Sequence, residues 1–252
     1  MATTLSDIWG RKALVCYVTA GHPDLTQSVT LLRELEGAGA DVIELGVPFS
    51  DPLADGPVIQ ASSQQALAHG VTYDRALDLL DRARPGIPVV IFSYLNPVLA
   101  AGPKALDRAA DAGASGVLIT DLPVGADPER EAWFGASRLD FIRLVAPTTP
   151  TDRMAEIARH GSGFVYLISR LGVTGARADV PPELPATVAR LRQATKLPIC
   201  VGFGIGTAQQ ARAVGAIADG VVVGSALVAA AGISVASALA LVRALRAGLD
   251  SA

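Results

Sequence analysis

Cysteine is scarce: Cys16 and Cys200 are the only two in 252 residues. Each lies inside an apolar, strand-like run, which suits a buried thiol in a reducing compartment. Histidine is nearly as rare, and His22, His69 and His160 are scattered without ligand spacing, so they read as surface or capping residues and no metal site is expected. Charge is modest at 18%, with a net of −3 and no basic stripe. Nucleic acid and an anionic membrane surface are therefore not expected partners. No apolar run reaches the roughly 18 residues that a membrane-spanning helix needs. The opening MATTLSDIWGRK lacks the apolar centre of a secretion signal, and a cytoplasmic location is expected.

What is abundant is apolar sequence, 50% of the chain, arranged in a regular cadence. Strand-like runs fall at 14–18, 42–45, 87–94, 116–119, 141–145, 164–168, 199–202 and 218–223. Helical patterns fall between and after them, at 24–36, 57–68, 73–84, 103–112, 127–135, 152–159, 184–194, 207–214 and 233–247, with a short helix opening near 225. Asp24 is placed to cap the first helix and Gly37 to end it. The size allows one α/β barrel or two small domains. Eight strands, each followed by helical sequence, favour a single-domain (β/α)8 TIM barrel spanning 1–252. It carries an extra helix after the second strand and a short phosphate-binding helix after the eighth. In such a barrel all strand C-termini open on one mouth.

The stretch DVIELGVPFSDPLADGPVIQ, 41–60, sets Glu44 inside an apolar strand. Alternation puts Glu44 on the face of Val42, pointing into the barrel, and Ile43 and Leu45 on the other. An ionised carboxylate buried there without partners is costly, so its pKa should rise into the range of a general acid or base. Asp51 and Asp55 follow in a rigid loop punctuated by Pro48, Pro52, Pro57, Gly46 and Gly56. The alternative is that Glu44 pairs with an arginine and that Asp51 and Asp55 are turn or cap residues.

Other polar and aromatic residues end strands at the same mouth: Tyr17 and Thr19 after the first, Tyr94 and Asn96 after the third, Asp121 after the fourth, Tyr166 on the sixth and Phe203 past the seventh. Aromatics make up only 5% of the chain, so this clustering reads as the wall of a flat apolar ligand. The tyrosines could equally cap the barrel core with their hydroxyls in water. Glycine-rich segments follow strands six to eight: 171–175, 202–206 and 224–226. Backbone amides there, with the dipole of the helix opening at Ser225, suit a substrate phosphate, although glycines also serve tight turns.

The motifs ELGVPFSDPLADGP from Glu44, YLISRLGVTGA from Tyr166, GFGI from Gly202 and the closing VVVGSA resemble the tryptophan synthase alpha subunit, over nearly the whole chain. That resemblance implies reversible retro-aldol cleavage of indole-3-glycerol phosphate to indole and glyceraldehyde 3-phosphate, without cofactor or metal. It implies Glu44 as the acid/base carboxylate and Asp55 as the carboxylate that holds the indole N–H. Tyr94, Tyr166 and Phe203 would line the indole pocket, with Tyr17 where the family usually has Phe. Gly175, Gly204, Gly224 and Ser225 would hold phosphate. Thr174, in a lid-like loop with Arg170 at its base, would reach Asp55. The resemblance also implies a beta subunit in an alpha2-beta2 tetramer, docked through Asp51, Pro52 and the segment from Asn96 to Leu99. Leu99 and His22 depart from the family pattern, which bears on partner affinity more than on chemistry. Two other readings of the same residues are a non-catalytic phosphate-binding subunit and a sugar-phosphate isomerase or epimerase.

Overall fold

A computed structural model describes residues 4–169, 181–202 and 204–252. Eight parallel strands close into a barrel in sequence order: β1 (Ala13–Thr19), β2 (Val42–Gly46), β3 (Val89–Ser93), β4 (Gly116–Ile119), β5 (Asp140–Val145), β6 (Val165–Ile168), β7 (Ile199–Gly202) and β8 (Gly220–Val223). β8 returns to pair with β1, through Ala13 against Gly220. The helices between them are α1 (Leu25–Ala38), α2 (Pro57–Ala68), α3 (Tyr73–Ala83), α4 (Leu95–Ala100), α5 (Ala105–Asp111), α6 (Pro128–Gly135), α7 (Thr151–Arg159), α8 (Leu184–Ala194), α9 (Ala208–Gly215), α10 (Ser225–Ile233) and α11 (Val235–Asp250).

Side-chain alternation divides the core in two. Val15, Val42, Val90, Leu118, Ile142, Tyr166, Cys200 and Val222 fill the barrel interior. Leu14, Cys16, Ile43, Leu45, Ile91 and Val117 face outward, under the helices. A 3-10 turn at Leu5–Asp7 closes the bottom: Leu5 is fully buried, and Trp9 meets Phe164 edge-on at 6.0 Å. Glu44 has the interior parity of Val42, as the alternation predicts.

Several boundaries differ from the sequence expectation. α1 runs through Gly37 and stops two residues later, because Gly39, at φ 106°, takes the left-handed terminator position and returns its N–H to Glu36 O and Leu35 O. The helix expected at 103–112 begins only at Ala105. Before it lies α4, which sequence patterning misses: its first amide, Leu95 N–H, is capped by Asp121 from the loop after β4, at 2.7 Å. α10 is nine residues long, and α11 starts at Val235 and not at 233, since the Ser234 hydroxyl accepts Ser237 N–H at 3.0 Å.

Candidate active site

Glu44 stands at the upper end of the barrel interior with 1% of its surface exposed. Its Oε1 has no hydrogen-bond partner, and no cation pairs with it among the described residues. Among the described residues no arginine partner, the expected alternative, is present. Burial alone raises its pKa to about 8, so near neutrality it carries a proton. Tyr17 pairs with it across β1 and β2, and Tyr166 enters from the opposite side of the barrel.

Asp55 comes from the loop between β2 and α2 and is 7% exposed. That loop is fixed by its own backbone and by Tyr94. Asp55 N–H donates to Pro52 O at 3.1 Å, and the Tyr94 hydroxyl accepts Ala54 N–H at 2.9 Å. Phe49 packs on Tyr94 with ring centroids 5.1 Å apart. Burial raises the Asp55 pKa to about 6, while a hydrogen bond from Tyr94 pulls the other way, so at neutral pH the group is mostly an anion. The two carboxylates thus differ in protonation, one a donor and one a charge, as acid/base chemistry with charge stabilisation requires.

Glycines let the aromatic walls close in. A Cβ on Gly46 would lie 2.1 Å from the Tyr17 hydroxyl oxygen, and one on Gly202 would lie 2.3 Å from that of Tyr166. Only a residue without a side chain can stand under either ring. Tyr17 meets Phe92 edge-on at 5.2 Å. Phe49, Phe92 and Ile59 were not singled out from sequence, although Phe92 shares the parity of the inward residues of β3.

On the β8 side, α10 opens at Gly224 with no side-chain cap, and the buried Ser225 Oγ has no partner among the described residues. Uncapped amides and an unengaged hydroxyl at a helix N-terminus suit an anion. Gly204, at φ 83°, turns the neighbouring loop. The amides of Gly206 and Thr207 in that loop are taken by Gln210 Oε1, at 2.9 and 3.1 Å. Thr19 is buried, with its hydroxyl 2.7 Å from Ser62 Oγ, and it ties β1 to α2. Asp121 serves as the cap of α4. Asp51 and Asn96 are exposed and Pro52 half-buried, on adjoining parts of the rim, where Leu53 stands 83% exposed. Arg170, Thr174, Gly175 and Phe203 lie outside the described residues.

Fold and site together define a (β/α)8-barrel enzyme with a protonated and an ionised carboxylate at its mouth. The sequence matches, over residues 6–247, the family model described as tryptophan synthase alpha chain. It is 51% identical over 223 residues to the tryptophan synthase alpha chain of Citrifermentans bemidjiense, covering 87% of this chain and 83% of that one. The alpha chain of Desulfatibacillum aliphaticivorans is 49% identical over 218 residues, covering 85% and 82%. Among solved structures, Mycobacterium tuberculosis tryptophan synthase superposes with a TM-score of 0.90 at 36% identity, covering 99% of both chains. Subunit alpha from Legionella pneumophila superposes at 0.86 and 36% identity, covering 96% of this chain and 94% of that one. The chain belongs to the tryptophan synthase alpha chain family, and its activity is that family's lyase reaction, cleavage of indole-3-glycerol phosphate.

Proposed function

We propose that Glu44 is the general acid and base of this cleavage and Asp55 its electrostatic partner. The observation that carries the assignment is the burial of both carboxylates at the barrel mouth, Glu44 with an Oε1 that has no partner among the described residues and a pKa raised to about 8, Asp55 with one raised only to about 6. Protonated Glu44 delivers its proton to the indole C3, and the positive charge that develops toward N1 is balanced by the Asp55 carboxylate. The resulting Glu44 carboxylate then takes the proton of the side-chain hydroxyl as the C3–carbon bond breaks. Indole and glyceraldehyde 3-phosphate leave, and Glu44 is protonated again. The step needs no metal or cofactor.

In this reading Tyr17, Tyr94, Tyr166 and Phe203 wall the indole, with Thr19 supporting Tyr17. The N-terminus of α10 with Gly204, Gly224 and Ser225 receives the phosphate, joined by Gly175, while Thr174 closes over Asp55. The rim carrying Asp51, Pro52 and Asn96 docks a tryptophan synthase beta subunit in an alpha2-beta2 assembly, and exposed Leu53 adds an apolar contact there. No helix among the described residues is long and apolar enough to cross a membrane, in keeping with a cytoplasmic enzyme acting as one barrel domain. The test is indole release from indole-3-glycerol phosphate by the purified chain, with and without added beta subunit. Weak turnover that rises strongly with the partner is expected. Tight phosphate-ligand binding without cleavage in either case would return the chain to the binding-subunit or isomerase readings.

A further inference from the structure

We propose that Tyr17 is a substrate-contacting, specificity-determining residue whose hydroxyl hydrogen-bonds a hydroxyl on the three-carbon chain between the indole and the phosphate. The assignment rests on the placement of the two ends of the substrate given above. Around the barrel, β1 lies between β8 and β2. The phosphate end belongs to α10 beyond β8, and the reacting end to Glu44 on β2 and Asp55 after it. A molecule anchored at both must carry its linking chain past β1, and the inward residue there is Tyr17.

Two close approaches fix how the ring lies. A Cβ on Gly224, at the mouth of α10, would be 3.7 Å from Tyr17 Cβ, whereas one on Gly46, on β2, would be 2.1 Å from the hydroxyl oxygen. The ring therefore starts on the phosphate side and ends on the carboxylate side. Phe92 meets it edge-on, and Ile59 and Val228 pack around it. With these neighbours the ring has nowhere else to go, and its hydroxyl is delivered to a set place with only 5% of the residue exposed.

A phenol hydroxyl in such surroundings needs a partner, and within the protein the Thr19 hydroxyl supplies one. Thr19 in turn lies 2.7 Å from Ser62 Oγ, and Ser62 donates to Ile59 O at 2.8 Å, so the donors run in one line from the phenol through Thr19 and Ser62. The carboxylates whose charge acts on the phenol are Asp55 and, more weakly, Glu44. A chain hydroxyl passing between the phosphate end and those carboxylates would meet the phenol oxygen, which as a donor to Thr19 still has a lone pair with which to accept.

The test pairs a residue hydroxyl with a ligand hydroxyl. Dissociation constants are measured for indole-3-glycerol phosphate, in a Glu44→Gln background so that it is not consumed. They are measured also for an analogue that joins the same indole and phosphate by an unsubstituted three-carbon chain. Tyr17→Phe keeps the ring and its packing. It should weaken the hydroxylated ligand about threefold to tenfold and leave the analogue unchanged, the effect of one neutral hydrogen bond. Equal affinity for the hydroxylated ligand with Tyr17 or Phe would overturn the assignment, and so would an equal loss for both ligands, which would mark a structural effect. Cleavage by the unaltered chain is scored separately. Its absence would overturn the functional reading and this inference together, whereas cleavage without the hydroxyl coupling would overturn this inference alone.

Discussion

Two carboxylates three positions apart at β2, Asp41 and Glu44, are both buried and are treated in opposite ways. Asp41, at the bottom of the barrel, takes Arg11 on Oδ1 at 2.7 Å, and Arg246 and the Leu14 amide on Oδ2 at 2.9 and 2.8 Å. Through Arg246, which also reaches Lys12 O, it ties α11 to the start of β1 and β2. Glu44, higher on the same strand, has an oxygen with no partner among the described residues. The same chain can evidently satisfy a buried carboxylate when it closes the barrel. At the mouth it leaves one unsatisfied, and the cost of that is a raised pKa and a proton available for chemistry. On the proposed assignment, the bottom of the barrel uses its polar groups for stability and the top for reaction.

Removing the charge at each site should break the comparison in opposite directions. Glu44→Gln is expected to lower kcat/KM for indole release by about a hundredfold to ten-thousandfold, the range for loss of a general acid or base, with substrate still bound. Retained turnover would remove Glu44 from the chemistry. The same substitution should also stabilise the fold at alkaline pH. Below its ordinary value of 4.5 the Glu44 carboxyl is protonated in both folded and unfolded chains; between there and about 8 only the folded chain keeps the proton, so folding is penalised increasingly as pH rises. Urea unfolding should therefore show the variant gaining on the parent between pH 4 and pH 9. A constant difference would contradict the raised pKa.

Asp41→Asn should do the reverse, costing about 2–4 kcal/mol, because it takes from the buried Arg246 guanidinium its buried carboxylate and leaves it the half-exposed Asp250 and Lys12 O. Arg11 is about half exposed and adds little to that figure. Chemical denaturation at pH 7 measures it, and a loss below about 1 kcal/mol would mean that the pair at the barrel bottom is not what holds α11 to β2.

A smaller effect, and one confined to activity, comes from pH. With Asp55 required as an anion and Glu44 as an acid, kcat/KM should fall as pH drops through about 6 and again as it rises through about 8. Asp55→Asn should abolish the acid limb along with most of the activity. A profile flat from pH 5 to 9 would show that neither carboxylate limits the step.

The contrast between the two carboxylates was half legible beforehand. Glu44 announces itself because β2 is an apolar run and strand alternation assigns its face, two local facts. Asp41 carries no such signal, since its main partner is Arg246, 205 positions away, and only the closed barrel brings them together. The eight-strand cadence could be read for the same local reason, as could α2, whose bounds match the expectation. α4 could not, because its cap, Asp121, arrives from another loop. The glycines under Tyr17 and Tyr166 look from sequence like turn residues. Their role appears only when neighbouring strands are laid side by side.

The smallest effect is the one that isolates burial. Asp81 meets Arg84 at 2.9 Å, the same separation as Asp41 from Arg246, but with 55% and 78% of the side chains exposed against 9% and 9%. Identical chemistry at identical distance should then be worth very different amounts. In water the two charges are solvated apart nearly as well as together, and holding long side chains in place costs entropy. Asp81→Asn is therefore expected to change unfolding free energy by less than about 0.5 kcal/mol, with what remains vanishing in molar salt. If it proved as damaging as Asp41→Asn, pairing itself would account for the stability at the barrel bottom. The argument that Glu44 is left bare for chemistry would then lose its reference point, since burial would no longer separate the two ends of β2.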